Sequence, residues 1–583
     1  MTVRYRVTPS SPHEHLFLVE ATFQADGPLD LWMPAWTPGS YLVREYARHV
    51  QDFTASDGAG EPLRVERLDK ATWRVHGSGQ VRVRYRVYAN DLTVRTNHLD
   101  GSHGFFNGAA LFVTSDAHRG QGCRLELRAP PSWRVFCALP ERDGGLYARD
   151  FDELVDSPVE MGPDSSFSFL AAGKPHEVAI WGQGELDPAL VAEDLKTLCE
   201  AETRLFGELA CERYLFIVLL TDRGRGGLEH ANCCTLLLPR TGFRPRKAYE
   251  EFLALAAHEY FHLWNVKRIA PRALLPFDYR REGYTTLLWA MEGITSYYDT
   301  LLLRRAGFID AARYLSKLGE VITSVESVPG RRALSLAEAS RLAWDKHYRP
   351  DENSPNSAVS YYAKGEVVAA LLDLELRRRT GGARSLDDLM RLLFSRYGDG
   401  SGVPEDGVEA AAADVAGGDM AAFFERAVHS AEELDYGVFG AAGLALRRRA
   451  KRSASDRGGT RTEDDAGEKA WLGVDLKPGE RAVVAATLAG SPAARAGLYP
   501  DDEIVAIDGL RASASVLADR LDERAPGTRL RLSLFRRDQL LELEATLDPR
   551  PLSACWLERV TDASPAQRAF YEAWLGEKFP APA

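Results

Sequence analysis

The most constraining feature of the sequence is an H-E-x-x-H motif, His258 to His262, within the stretch 247–266, which contains neither glycine nor proline. Apolar residues recur at helical intervals in this stretch, which predicts an α-helix. Residues four apart lie on one face of a helix, so His258 and His262 can offer two imidazole nitrogens to one metal ion, with Glu259 beside the same site. The motif therefore predicts a catalytic zinc site; the alternative is a pair of core histidines with a chance glutamate between them.

A catalytic zinc usually takes three protein ligands, and the best candidate for the third is Glu292. It lies in the apolar, helical stretch 287–298, where a metal explains a carboxylate better than solvent does. Glu282 is the competitor, but it stands among two arginines and a glycine in a polar, turn-like context. This contrast of environments favours Glu292.

Length and charge restrict the class of protein. A chain of 583 residues is too long for one core and indicates three or four domains. The net charge of -12 argues against a nucleic-acid partner. The N-terminus lacks the pattern of a signal peptide, no apolar run is long enough to span a membrane, and the seven scattered cysteines do not form a disulfide framework. These features predict a cytoplasmic protein without a membrane partner.

Changes in hydrophobic pattern and charge divide the chain into five parts. Residues 1–170 alternate in short runs separated by turns, which predicts a sandwich-like antiparallel β domain. Residues 171–446 combine helical patterns with two apolar strands that lead into the helix of the zinc motif. Residues 447–469 are polar and charged, typical of a flexible linker. Residues 470–548 form a separate compact unit, and 549–583 a tail with an amphipathic helix over 564–576.

Taken together, these residues resemble the PDZ-containing glycyl aminopeptidase family of zinc peptidases over nearly the whole chain. The similarity rests on the stretches 36–41, 258–265 and 292–298. It implies a multidomain α+β protein: an N-terminal antiparallel β domain, a thermolysin-like α+β catalytic domain of the gluzincin type with a helical part, and a C-terminal PDZ domain at 470–548.

A more distant similarity to the aminopeptidase N family implies further site residues. The stretch Gly226 to His230 is similar to that family's Gly-x-Met-Glu-Asn motif, in which the glutamate, here Glu229, holds the free amine of the substrate. Gly226, Gly227 and His230 complete this substrate-binding element, although His230 replaces the asparagine. Tyr362 opens a stretch similar to the Tyr-x-Lys-Gly motif, whose tyrosine stabilises the tetrahedral intermediate.

The sequence thus predicts a Zn²⁺-dependent aminopeptidase that acts on peptides with a free N-terminus and, by resemblance, prefers a small first residue such as Gly or Ala. Glu259 is the predicted general base and Tyr362 the oxyanion donor, while the run 233–238, as an edge strand, would align the substrate. The PDZ domain could bind a peptide C-terminus, unless the tail covers it. The alternatives are a zinc endopeptidase, in which Glu229 only pairs with an arginine, and a PDZ adaptor built on an inactive peptidase.

Overall fold

The computed structural model describes residues 2–163, 165–462 and 469–580. The chain forms two compact units. The first comprises the chain up to Tyr284 together with Phe394–Val403, and the second comprises Thr285–Leu393 together with the chain from Pro404 onward. The HExxH motif belongs to the first unit, and Glu292 and Tyr362 belong to the second.

The first unit begins with two β-sheets that share one apolar core. A ten-stranded sheet has the order β12-β13-β10-β1-β2-β7-β4-β5-β6-β3, and a four-stranded sheet the order β11-β14-β9-β8. Alternating burial along the strands explains the predicted sandwich, although β1 and β10 pair in parallel rather than antiparallel. The elements are β1 Val3–Ser11, β2 Leu16–Ala25, β3 Leu29–Trp32, β4 Val50–Ser56, β5 Pro62–Arg67, β6 Thr72–His76, β7 Gly79–Tyr88, β8 His98–Leu99, β9 Gly104–Phe106, β10 Cys123–Leu127, β11 Arg134–Cys137, β12 Glu141–Arg142, β13 Gly145–Ala148, α1 Phe151–Val155 and β14 Val159–Gly162.

A five-stranded sheet with the order β15-β16-β17-β19-β18 carries the zinc motif's helix in the same unit. Its elements are β15 Ser165–Ala171, β16 Lys174–Trp181, α2 Pro188–Phe206, β17 Tyr214–Thr221, β18 Gly226–Glu229, β19 Cys233–Pro239 and α3 Arg246–Phe261. The condition for 233–238 to align a substrate, that it be an edge strand, is not met, because β19 pairs with β17 on one side and β18 on the other. The edge strand on this side of the sheet is β18, which holds Glu229.

The N-terminal half of the second unit is mainly helical. Its elements are a π-helical turn Trp289–Gly293, α4 Ile294–Arg305, α5 Ala311–Glu326, α6 Leu336–Arg341, α7 Ser354–Ser357, α8 Tyr361–Arg379, α9 Leu386–Tyr397 (whose last residues belong to the first unit), α10 Gly407–Ala416, α11 Ala421–Phe424 and β20 Leu444–Arg449. Short 3-10 and π-helical turns connect them. Helix α8 begins at Tyr361, because Ser360 caps it by accepting a hydrogen bond from the amide of Ala363.

The C-terminal part of the second unit is built around a sheet with the order β22-β23-β24-β26-β27 and its own apolar core. Its elements are β21 Ala470–Trp471, β22 Val474–Leu476, β23 Ala482–Thr487, α12 Pro492–Ala496, β24 Glu503–Ile507, β25 Leu510–Arg511, α13 Ala514–Asp522, β26 Arg529–Arg536, β27 Gln539–Thr546 and β28 Asp548–Pro549. We call this part, 470–549, the C-terminal module. The Asn356 side chain joins it to α7, donating to the Thr487 carbonyl at 2.9 Å and accepting from the Ala489 amide at 2.7 Å.

Two parts of the stretch 447–469 make contacts that hold them in place. Its first residues continue β20, which pairs with a later strand, β29 Ala554–Arg559. Arg449 and Asp456 form an ion pair that is almost fully buried, and the Gly459 amide donates to the Cys555 carbonyl at 2.7 Å. Two of the charges of this stretch, Arg449 and Asp456, therefore pair with each other inside the unit. Residues 463–468 lie outside the described residues.

The tail returns to the helical part of the second unit. Its helix, α14 Pro565–Leu575, has a capping box at Ser564 and buries Trp574, whose indole nitrogen donates to the Tyr297 hydroxyl at 2.9 Å. The tail helix therefore packs on α4. Among the described residues, no helix combines the length and apolarity needed to cross a membrane.

The tail should contribute to the stability of the second unit through Trp574. Replacing this 1% exposed indole with alanine leaves a cavity and removes the donor to Tyr297, so Trp574→Ala should lower the free energy of unfolding by about 3–5 kcal/mol. Urea denaturation measures the change. Leu552→Ala, at a 61% exposed position of the same tail, is the control and should cost less than about 0.5 kcal/mol. Equal effects would mean that α14 is not part of the cooperative unit.

Candidate active site

Helix α3 presents the two histidines of the motif near its C-terminal end. The helix stops at Phe261, earlier than the predicted 266, and His262 is its C-cap with φ -61°, so it keeps helical geometry and its ring centroid lies 4.8 Å from that of His258. The Nδ1 of His262 contacts the Asn265 carbonyl at 2.7 Å. A carbonyl can only accept, so Nδ1 carries the proton and Nε2 carries the lone pair. This is the arrangement by which a second hydrogen bond orients a metal-binding histidine.

Two carboxylates accompany His262 in the first unit. One ligand atom each from Glu229, Glu259 and His262 lie within 4.8 Å of one another, and all three residues are buried. Glu229 comes from the edge strand β18 and Glu259 from α3, so the sheet and the helix meet at this cluster. Buried carboxylates are costly without a partner, so this cluster favours a positive charge next to it.

Glycine at position 227 makes the close approach of strand and helix possible. A Cβ atom on Gly227 would lie 1.9 Å from Oε1 of Glu259, a separation that no real side chain has. Any other residue would displace the carboxylate of Glu259. The sequence-predicted Gly226, Gly227 and Glu229 thus lie on one strand directly beside the predicted general base.

His230 has a different setting from its neighbour Glu229. Its Nδ1 lies 3.0 Å from Oδ1 of Asp156, which also accepts from Lys267 Nζ at 2.7 Å and, through Oδ2, from the Ala231 amide at 2.9 Å. Burial alone would raise the pKa of Asp156, but the Lys267 charge and the His230 hydrogen bond hold that pKa well below its ordinary value. His230 is therefore tied to a largely buried ion pair, with side chains 10% and 21% exposed, that braces the turn after β18.

Lys267 completes this brace from the loop after α3. Burial lowers the pKa of Lys267, but the charges of Asp156 and Glu229 outweigh it and raise the pKa above its ordinary value. The preceding Val266 has φ +111°, which is strained for a β-branched residue and is typical of a loop held by its surroundings. Sequence reasoning missed Asp156 and Lys267, because no local pattern links a residue at the end of α1 to the loop after α3.

The second unit holds the other two predicted residues. Glu292 is 2% exposed and lies in the π-helical turn Trp289–Gly293, a local geometry often found at functional sites, whereas its competitor Glu282 is exposed. A Cβ on Gly293 would lie 2.5 Å from the backbone of Gly365, so the turn packs directly on α8. The apolar surroundings that favoured Glu292 in the sequence are thus those of a closely packed helix crossing.

Tyr362 lies in the first turn of α8, and its hydroxyl is 3.4 Å from that of Tyr348. Burial, and after it the negative charge of Glu292, raises the pKa of Tyr362 well above the ordinary phenol value. The phenol therefore keeps its proton at neutral pH and can act as a hydrogen-bond donor.

Comparison with known proteins agrees with this fold. Residues 4–163 match the Peptidase M61 N-terminal domain and residues 251–368 the M61 glycyl aminopeptidase domain. A crystal structure of an aminopeptidase N family protein from Idiomarina loihiensis is similar over 98% of this chain and 100% of that chain, with 33% identity and a TM-score of 0.93. Identity at this level over the full length shows that the chain belongs to the same family, and its matched domains are those of the M61 glycyl aminopeptidases.

Other solved structures are less similar. An M1 zinc metallopeptidase from Deinococcus radiodurans covers 75% of this chain and 94% of its own length at 14% identity, with a TM-score of 0.48 for a point mutant bound to a Tyr-Ser-Ala substrate and 0.47 for the protein itself. Comparison with curated proteins found no match.

The brace around Asp156 should matter for stability over a defined pH range. Asp156→Asn removes the charge that balances the largely buried Lys267 and should lower the free energy of unfolding by about 3 kcal/mol at pH 7. The lowered pKa of Asp156 makes its contribution complete above the unfolded value of about 4, and it is lost as the pH falls through the folded value. The raised pKa of Lys267 makes its share complete below the unfolded value of about 10, and it is lost as the pH rises through the folded value.

The difference between Asp156→Asn and wild type, measured by urea denaturation, should therefore stay constant between about pH 5 and pH 9. Asp52→Asn is the matched control, because its ion pair with Arg86 is exposed and should contribute at most about 1 kcal/mol. A cost for Asp156→Asn no larger than this control would mean that the Lys267 pair does not brace the site.

Proposed function

We propose that the protein is a zinc-dependent aminopeptidase that releases small N-terminal residues, such as Gly and Ala, from peptides. The observation that carries the proposal is the position of Glu229, whose carboxylate lies within 4.8 Å of donor atoms of Glu259 and His262. A buried carboxylate beside the reacting groups suits the α-ammonium of a substrate, which an internal peptide bond lacks. The preference for glycine follows the description of the M61 family, and alanine is the next smallest residue.

His258, His262 and Glu292 are the proposed zinc ligands, because two imidazoles and a carboxylate are a common donor set of catalytic zinc. The Nδ1 contact of His262 and the burial of Glu292 support this choice. When bound, zinc would lower the pKa of a water molecule and polarise the scissile carbonyl.

The residues of the chain have separate tasks in the reaction. Glu259 takes the proton of the attacking water and later delivers it to the leaving amine. Tyr362, with its raised pKa, donates to the oxygen that becomes negative in the transition state. The edge strand β18 offers its backbone to the substrate, and Gly227 lets that strand approach Glu259. Glu229 binds the α-ammonium.

The C-terminal module is proposed to be a PDZ domain that binds a peptide C-terminus. Its strand β22 stands at the edge of the sheet, and Gly473 before it has φ +84°, a conformation suited to a loop that presents backbone amides to a carboxylate. The retained catalytic residues favour an active peptidase over an adaptor. The cytoplasmic location stays a prediction.

Zinc binding and catalysis should be separable by mutation. His258→Ala, His262→Ala or Glu292→Ala should remove both zinc and activity, whereas Glu259→Gln should keep zinc and lose nearly all turnover, because Glu259 acts as a base rather than a ligand. Metal analysis of the purified variants, with hydrolysis of alanine p-nitroanilide, measures both. Glu282→Ala is the control for Glu292→Ala. Zinc retained in Glu292→Ala but lost in Glu282→Ala would assign the third ligand to Glu282.

The aminopeptidase assignment itself is tested at Glu229. Glu229→Ala should raise the transition-state free energy for free-amine substrates by about 2–5 kcal/mol, because the ammonium loses its buried partner, and Glu229→Gln should cost less. The wild type should refuse N-acetylated substrates. Values of kcat/KM for a peptide and its acetylated form provide the measurement. If both forms are cleaved equally by the wild type, or lose equally in Glu229→Ala, the enzyme is an endopeptidase.

A further inference from the structure

The carboxylate of Glu229 is covered by a glycine of the N-terminal β domain, which the proposed mechanism does not use. A Cβ atom on Gly39 would lie 2.4 Å from Oε1, 2.6 Å from Oε2 and 2.7 Å from Cδ of Glu229. All three separations are shorter than real side-chain contacts, so the bare backbone of Gly39 lies directly against the whole carboxylate. Since Gly39 has φ +83°, this close approach occurs in a conformation that also favours glycine.

The loop that carries Gly39 is firmly held. The Ser40 amide donates to the Thr37 carbonyl at 3.2 Å, which closes the turn around Gly39. Next to it, the buried Trp36 donates from its indole nitrogen to the carbonyls of Asp278, at 2.9 Å, and Arg281, at 3.0 Å. A backbone fixed on both sides cannot yield easily to a ligand, so it acts as a wall.

The strand that carries Glu229 is held to the same domain at a second point. Arg95 donates through Nη2 to the carbonyl of Gly227 at 3.2 Å, and the Tyr46 hydroxyl donates to the carbonyl of Arg95 at 2.8 Å. The N-terminal β domain therefore contacts β18 at two points: Gly39 lies against Glu229, and Arg95 donates to Gly227. Arg95 also occupies a carbonyl of the edge strand that a longer peptide chain could otherwise pair with.

We infer that Gly39 is a specificity-determining residue that forms the wall of the amine-binding subsite and closes the cleft beyond the first residue of the substrate. The inference rests on the proposed function, in which Glu229 binds the α-ammonium. An ammonium fits between the carboxylate and the reacting groups, but an acyl group or a preceding residue would meet the backbone at Gly39. The N-terminal β domain thus makes the cleft selective for peptides with a free N-terminus.

Gly39→Ala tests this inference, because the new methyl group would occupy the place of the Glu229 carboxylate and push that flexible side chain away. Gly60→Ala is the matched control: Gly60 has φ +93° in the same domain, and its Cβ would meet nothing within 4 Å. Both variants impose similar backbone strain, but only one reaches Glu229. We expect Gly39→Ala to lower kcat/KM for alanine p-nitroanilide at least about tenfold relative to Gly60→Ala, with unchanged zinc content.

A double-mutant cycle makes the test specific. If Gly39 acts by positioning Glu229, then Gly39→Ala should cost less than about twofold in a Glu229→Ala background, since the carboxylate it displaces is gone. A tenfold loss that persists in that background would overturn the inference. The same conclusion would follow if Gly39→Ala and Gly60→Ala were kinetically equal, or if Gly39→Ala melted far below Gly60→Ala in both backgrounds.

The outcome for the wild type separates this inference from the proposed function. A wild type that cleaves no free-amine substrate would overturn the proposed function and the inference with it. An active wild type that discriminates against acetylated substrates, with a Gly39→Ala variant that behaves like Gly60→Ala, would overturn only the role of Gly39.

Discussion

The candidate site depends on placing two carboxylates close together in a buried environment. Glu229 and Glu259 lie within 4.8 Å of each other and of a His262 nitrogen, where solvation is weak and an unpaired charge is costly. Their approach is possible because each carboxylate lies against a glycine, Glu259 against Gly227 and Glu229 against Gly39. The scaffold therefore supplies space rather than additional side chains at the points of contact. A cation that binds these donors would offset the cost of burial.

The surroundings of this cluster stabilise it through contacts that are distant in sequence. Asp156, from the end of α1, accepts hydrogen bonds from Lys267 after α3 and from the turn after β18. One largely buried ion pair thus fixes the segment after Glu229 and the segment after His262. The N-terminal β domain contributes Asp156, Arg95 and the loop around Gly39, so it is part of the site and not only a neighbouring domain.

In the second unit, glycines again allow close backbone packing around a buried carboxylate, that of Glu292. Gly293 and Gly365 let the π-helical turn of Glu292 lie on α8, and burial beside that carboxylate keeps the Tyr362 phenol protonated. Single side chains help to attach the C-terminal segments to this helical part, in addition to the pairing of β20 with β29. Asn356 binds the backbone of the C-terminal module, and Trp574 brings the tail helix onto Tyr297.

Sequence alone predicted the elements whose signals are local. The periodicity around the HExxH motif and the apolar setting of Glu292 both act over a few residues, and the structure places α3 and the buried turn at these positions. The predicted end of this helix at 266 was wrong: the helix ends at Phe261, because the chain then enters a loop that distant residues hold.

Tertiary structure alone decided the order of the strands and the partners of the charges. An apolar run such as 233–238 indicates a buried strand, but only pairing with both β17 and β18 makes it internal and leaves the edge to β18. Arg449 and Asp456 looked like part of a solvated linker, yet they pair inside the fold. Asp156, Lys267 and Gly39 carry no local pattern. Their roles arise when the folded chain brings together residues separated by about a hundred positions or more, and no periodicity records such contacts.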